Sequence, residues 1–274
     1  MLTIRYTRWD GSQSVRLDAD QVFEKLSEYL SYTDDVDQAL DWLMRHGAEL
    51  EGMRVVGLDE LLEQLRQQLE EKYQQFNLDH ALDQMRRKLD ELVDLEREAL
   101  DSCRDGARAA SKKRFLDNLS RKLSEAMEQL RHYSFEDADA ARELEHLLEE
   151  LENIQALERF LKQYRDLFEG QQSLGYEEAL ELMRQIEQLK NLEQQLVSGE
   201  LGGVDLEALA AMLGEQAAND LRELQQMMAV VQQSGYLMPR QGRTALSPKG
   251  IRKIGKLALR EIYQGLLRDK PGGH

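Results

Sequence analysis

Along most of the chain, leucine, valine, methionine and aromatic residues return at intervals of three or four with charged residues between them, the pattern of helices that bury one face. The first seventeen residues differ. Leu2 to Leu17 alternates apolar and polar positions around Asp10-Gly11, a dipeptide suited to a two-residue turn, which predicts a small β-hairpin. Asp18 then caps a helix through about Ser31, with Val22, Phe23, Leu26, Tyr29 and Leu30 on one face. Asp34 or Asp35 starts a second, carrying Val36, Leu40, Leu43 and Met44 and ending near Gly47. A loop from Gly52 to Gly57 follows.

From Leu58 to Phe76 seven apolar or aromatic residues keep helical spacing, and Asn77 separates this helix from one over about Leu78 to Leu100. Two such stripes predict an antiparallel helical hairpin. Residues 101–114 break the pattern with Gly106 and five bases, which reads as a loop or weak helix and a hinge. A helix over Phe115 to Arg131 comes next. Ser134 and Asp137 then have capping-box spacing ahead of one long helix towards Phe168. Gly175 to Val197 is a further amphipathic helix. Ser198 to Gly203, SGELGG, is a flexible joint and marks a domain boundary.

Beyond that joint come a short helix (Asp205–Leu213), a second (Gln216–Ser234), and a stretch unlike the rest, GYLMPRQGRTALSPKGIRKIG. Tyr236-Leu237-Met238 and Thr244-Ala245-Leu246 read as strands joined at Gln241-Gly242, with Ser247-Pro248 as N-cap and first residue of a last helix to about Leu267. Helix, helix, hairpin and helix make a winged-helix-like unit over residues 204–270. The expected fold is thus mainly α: a possible β-hairpin at 1–17, an elongated helical bundle or set of hairpins over 18–198, and the winged-helix-like domain.

Composition agrees with helices, since the chain holds three prolines, 6% aromatics and 32% charged residues. Charge adds something that periodicity does not. The net charge is −16, but from Pro239 onward nine Lys or Arg face two acids, so residues 1–238 carry −23 and the end carries +7. A polyanion would be repelled by most of this surface. Arg240, Arg243, Lys249, Arg252, Lys253 and Lys256 are the candidate contact residues, for phosphates or for an acidic surface on a partner or on the chain's own amino-terminal region. The helix in the recognition position, EQAANDLRELQQMMAVVQQ, brings only Arg222 as a base, which argues against DNA and for a protein partner.

Other motifs are weaker. Glu143 and His146 form one Glu-x-x-His, but a carboxylate-bridged metal site needs a second copy, so the pair reads as a solvated face. Cys103 is the only cysteine and has no catalytic companion nearby, so no disulfide, nucleophile, metal or cofactor is expected. Charges interrupt every leucine-rich segment before a membrane span could form. With no signal-peptide pattern at the start, the expected location is cytoplasmic.

Residues 175–274 resemble the helical region that precedes the von Willebrand factor A (VWA) domain in a family of large bacterial proteins. The residues that carry the likeness are LGEQ in the helix, GYL at the turn, the basic LSPKGIRKIG, and the exit PGGH; RYTRWDG and DAD at the start resemble that family too. The resemblance implies a non-enzymatic adaptor that works beside a MoxR-type AAA+ ATPase. It also implies a metal site in an A domain whose Asp-x-Ser-x-Ser signature does not occur in these residues, so no metal ligand carries over. The rival reading is a winged-helix transcription regulator with an acidic helical dimerisation region.

Overall fold

The computed structural model describes residues 17–268, so the hairpin expected over residues 1–17 lies, but for Leu17, outside them. The described residues are mainly helical, with three small strand pairs. Helix α1 (Ala19–Leu30) is capped by Asp18, whose carboxylate accepts the Asp20 amide at 2.9 Å. Helix α2 (Val36–His46) is capped in the same way by Asp35 and stops where Gly47 takes φ 70°. Strands β1 (Gly47–Leu50) and β2 (Met53–Val56) follow and pair antiparallel, Gly47 opposite Val56 and Leu50 opposite Met53. The loop expected from Gly52 to Gly57 is therefore largely the second strand of a hairpin. Four-residue strands are too short for alternation to stand out beside longer helical stripes.

The chain continues through α3 (Leu58–Gln75), β3 (Phe76–Asn77), α4 (Asp83–Asp101), α5 (Gly106–Asp117), α6 (Leu123–Leu130), α7 (Ala138–Glu149), α8 (Leu151–Tyr164), β4 (Gln172–Ser173) and α9 (Tyr176–Val197). Then come α10 (Leu206–Leu213), α11 (Glu215–Gln233), β5 (Leu237–Arg240), β6 (Arg243–Leu246) and α12 (Pro248–Arg268). Two compact units result. One comprises Met1–Leu65 and Leu192–His274 in its full bounds, the other Arg66–Asn191. The division differs from the single boundary read at SGELGG: that joint lies inside the first unit, which draws on both ends of the chain.

In the second unit α4 packs chiefly on α7, with α5 and α6 beside it. The break expected at residues 101–114 is confined to residues 102–105, between α4 and α5, and the remainder is the weakly buried helix α5. Asp105 caps α5 by accepting the Arg108 amide at 3.1 Å, and alanines then carry the helix although it buries only Ala109 and Leu116. The long helix expected from Ser134 to Phe168 is two, separated at Glu150, and Asp137 rather than Ser134 is the first one's N-cap. Leucine spacing runs on across that break, so periodicity alone conceals it. The core is made by Leu89, Leu92, Met127, Leu130, Ile154, Leu157 and Ile186, each at most 2% exposed. The two-residue strands β3 and β4 run parallel, and Gly170 beside them donates its amide to Phe76 O at 3.0 Å.

The first unit contains one motif twice. Helix α1, helix α2, hairpin β1–β2 and helix α3 correspond to helix α10, helix α11, hairpin β5–β6 and helix α12. Each hairpin has two four-residue strands and a two-residue turn ending in a glycine, Gly52 or Gly242, at φ near 80°. The packing is reciprocal. Helix α11 lies on β2 of the first motif, and α2 lies on β6 of the second. Phe23, Leu26, Leu43, Leu61, Leu65, Leu221, Leu224, Met227 and Val231 form the shared core, all fully buried.

Candidate interaction surface

The hairpin anticipated in GYLMPRQGRTALSPKGIRKIG forms as β5–β6, and its turn is set by Gln241 (φ 52°) and Gly242 (φ 79°). Two successive left-handed residues give the turn whose twist matches an antiparallel pair. At its base Ser247 donates its amide to Tyr236 O at 2.8 Å and its hydroxyl to Gly235 O at 2.7 Å, and its Oγ accepts the Gly250 amide at 3.2 Å. Ser247 thus closes the hairpin and caps α12 at once. Gly250 is the residue this closure demands, because a Cβ there would stand 2.4 Å from Tyr236 O.

The six candidate cations have separate fates. Lys253 is largely covered: its Nζ lies 2.9 Å from Asp20 Oδ2 and 3.4 Å from Glu24 Oε1 on α1. Arg260, one turn further along α12 from Lys256, reaches Glu24 at 3.2 Å. Lys249 donates to Ser234 O at 2.7 Å, at the carboxyl end of α11, and sits 4.1 Å over the Tyr236 ring. Arg240, Arg243, Arg252 and Lys256 are exposed and have no recorded partner among the described residues. Arg240 and Arg243 are cross-strand neighbours beside the turn, a placement in which like charges repel.

Periodicity does not reveal the groups that anchor this surface to α1. Tyr236 stacks on Phe23 with centroids 4.2 Å apart, and its hydroxyl donates to Asp20. That hydrogen bond, with the Lys253 ammonium, holds the Asp20 carboxyl below its ordinary range, and the same bond to Asp20 raises the Tyr236 phenol. The Lys253 ammonium is stabilised in return by its bond to Asp20. On the wing, the Thr244 amide donates to Asp37 of α2 at 3.2 Å.

Helix α12 has a second character. Its Lys253 and Arg260 side faces α1, whereas Ile251, Leu259, Ile262 and Tyr263 lie 60–69% exposed. Ile251, Leu259 and Ile262 fall on the side away from α1, with Arg252 and Lys256 at their border. Elsewhere, His146 is 75% exposed with Glu149 3.9 Å away, and Cys103 is half-buried between α4 and α5. Among the described residues no helix is long and apolar enough to cross a membrane.

The fold and this surface define a mainly α protein with a duplicated helix–helix–hairpin–helix unit. Residues 79–150, inside the second unit, match the family described as the Mb0984 helical domain. The chain is similar to the uncharacterized proteins Mb0984 of Mycobacterium bovis and Rv0959 of Mycobacterium tuberculosis, 32% identical to each over 174 residues, which are 62% of this chain and 25% of the relative. The chain therefore matches about a quarter of the length of these curated relatives. No solved structure matches it significantly.

Proposed function

We propose that this chain is a non-enzymatic protein-interaction region of a VWA-type protein and couples it to a partner such as a MoxR-type AAA+ ATPase. The observation that carries the reading is the outward face of α12. Three large apolar side chains, Ile251, Leu259 and Ile262, at 60–69% exposure beside cations with no partner among the described residues are what a docking helix presents, because an exposed apolar patch on a folded surface marks an interaction site. The opposite side of α12 is fixed to α1 by Lys253 and Arg260, so the helix offers that face in a defined orientation. The resemblance of LSPKGIRKIG to the segment ahead of an A domain supplies the class of partner.

The test is co-purification of the full protein with a MoxR-type ATPase in the presence of nucleotide. Leu259→Ser with Ile262→Ser should abolish recovery and leave the melting temperature within a few degrees of wild type. Equal recovery with the variant would overturn the reading. The rival reading, duplex DNA binding, has Arg240 and Arg243 in its favour. It conflicts with the burial of α11, the recognition-position helix, against β2, α1 and α10.

A further inference from the structure

Two neighbouring cavities in the first unit, of about 550 and 450 Å³, share Gln232 and lie along the same two helices. Their walls are one face of α2, where Leu40 and Met44 follow Asp37 at i+3 and i+7, and one face of α11, where Met228, Ala229 and Gln232 keep the same period. Together they read as one groove. Its floor is apolar and rich in methionine, the residue that best adapts to a foreign side chain. One end is closed by the SGELGG joint through Leu201 and Val204, where Gly199 (φ 72°) lies so near Met44 that a Cβ would stand 3.2 Å from its Cε. The other end is the wing, with Met238, Pro239 and Arg243 at its rim.

We infer that this groove binds an amphipathic helix of a partner protein that places acidic residues at the wing end. The inference rests on the interaction reading above and names a second contact for it. The groove is walled by two helices with apolar positions at helical period, the geometry that accepts a third helix by its i, i+3, i+4, i+7 face. Charge selects the occupant. Arg240 and Arg243 oppose each other across β5–β6, both exposed and both unpaired among the described residues, and an incoming carboxylate relieves their repulsion. Asp37 lies at the same end, with its Oδ2 accepting the Thr244 amide, and one carboxylate against two guanidinium groups leaves that end positive. The joint end of the groove carries no cation among its lining residues. A second copy of this chain is a poor occupant: its exposed apolar helix, α12, is bordered by Arg252 and Lys256 and would bring like charge to the wing.

A displayed library of random helical peptides with fixed apolar positions, selected against the full chain, tests this. The enriched peptides should be acidic towards one end. Their affinity, read by fluorescence anisotropy, should fall at least tenfold in Ala229→Glu, which puts a charge on the groove wall, and severalfold in Arg243→Glu. Met238→Glu, on the exposed wing strand, serves if Ala229→Glu does not fold. Leu259→Ser with Ile262→Ser should leave peptide binding unchanged, which separates the groove from the α12 reading. Enrichment of basic peptides, no enrichment, equal binding to the groove variants, or a groove variant that alters self-association of the chain would each overturn the proposal.

Discussion

Lys253 Nζ lies 2.9 Å from Asp20 Oδ2, although 233 residues separate them in the chain. The basic segment that suggests a polyanion partner thus spends part of its charge on the acidic amino-terminal helix of its own unit. Because Asp20 is half exposed, the Coulombic part of this pair is worth no more than about 1 kcal/mol. Its larger effect is positional, since Asp20 also accepts the Tyr236 hydroxyl and so aligns α1, the hairpin base and α12.

A pH dependence follows. The folded Asp20 carboxyl titrates below 3.8, its ordinary value, chiefly through the Tyr236 hydrogen bond and then through Lys253. Its contribution to stability is complete above that value and is lost as pH falls through the folded pKa. Asp20→Asn should therefore lower the melting temperature at pH 6, and the gap between variant and wild type should narrow as pH falls below 3.8. Melting curves for both proteins from pH 6 to pH 2.5 check this; a constant gap would show that ionisation of Asp20 does not matter.

Glu96 is the strongest polar anchor of the second unit. It is fully buried on α4 and accepts the Tyr133 hydroxyl at 2.9 Å and the amides of Glu136 and Asp137 at 2.8 and 2.9 Å, with Lys112 Nζ 3.8 Å away. Those bonds fix the turn that delivers Asp137 as the cap of α7. Glu96→Ala leaves the part-buried Glu136 and Asp137 amides and the Tyr133 hydroxyl without their acceptor and should cost roughly 3 kcal/mol. Urea unfolding gives the magnitude, and hydrogen exchange over residues 133–140 should show the local loss.

How far such features can be seen in advance depends on whether they are local. Asp18, Asp35 and Asp205 announce their helices because a cap acts within three residues, and Gln241-Gly242 with Ser247-Pro248 announces the hairpin and the start of α12 for the same reason. Glu96 does not, because one more Glu in an acidic helix looks solvated until the chain brings residues 133–137 over it. The β1–β2 hairpin is hidden by its brevity, and the α7–α8 break by leucines that continue through it. Within the candidate surface, the six cations are visible in the sequence, but the division into paired and unpaired ones depends on α1, more than 200 residues away.

Gly250 tests the junction between hairpin and helix. A methyl group at that position would meet Tyr236 O at 2.4 Å and Leu246 Cδ2 at 3.3 Å, and the first contact is with backbone that cannot rotate aside. Gly250→Ala should destabilise the protein by about 1–3 kcal/mol even though alanine is the better helix former. Gly255→Ala meets nothing within 4 Å and should be neutral or stabilising. Paired chemical denaturation curves decide; equal effects of the two changes would mean that the hairpin base yields without cost.

Binding to DNA is the last expectation to separate. A winged-helix reader inserts its recognition helix into the major groove, yet α11 buries Leu221, Leu224, Met227 and Val231 completely, and its only base, Arg222, is hydrogen-bonded to Asn219. That leaves the wing cations, Arg240 and Arg243, and two more on α12, Arg252 and Lys256, on a chain of net charge −16. Four phosphate contacts at most would give a salt slope of about −4 and weak, sequence-independent association. Electrophoretic mobility shifts with duplex DNA at low salt should accordingly show no discrete complex that survives to about 150 mM salt. A discrete complex with a steep salt slope, reduced by Arg240→Ala with Arg243→Ala, would instead assign the wing to nucleic acid.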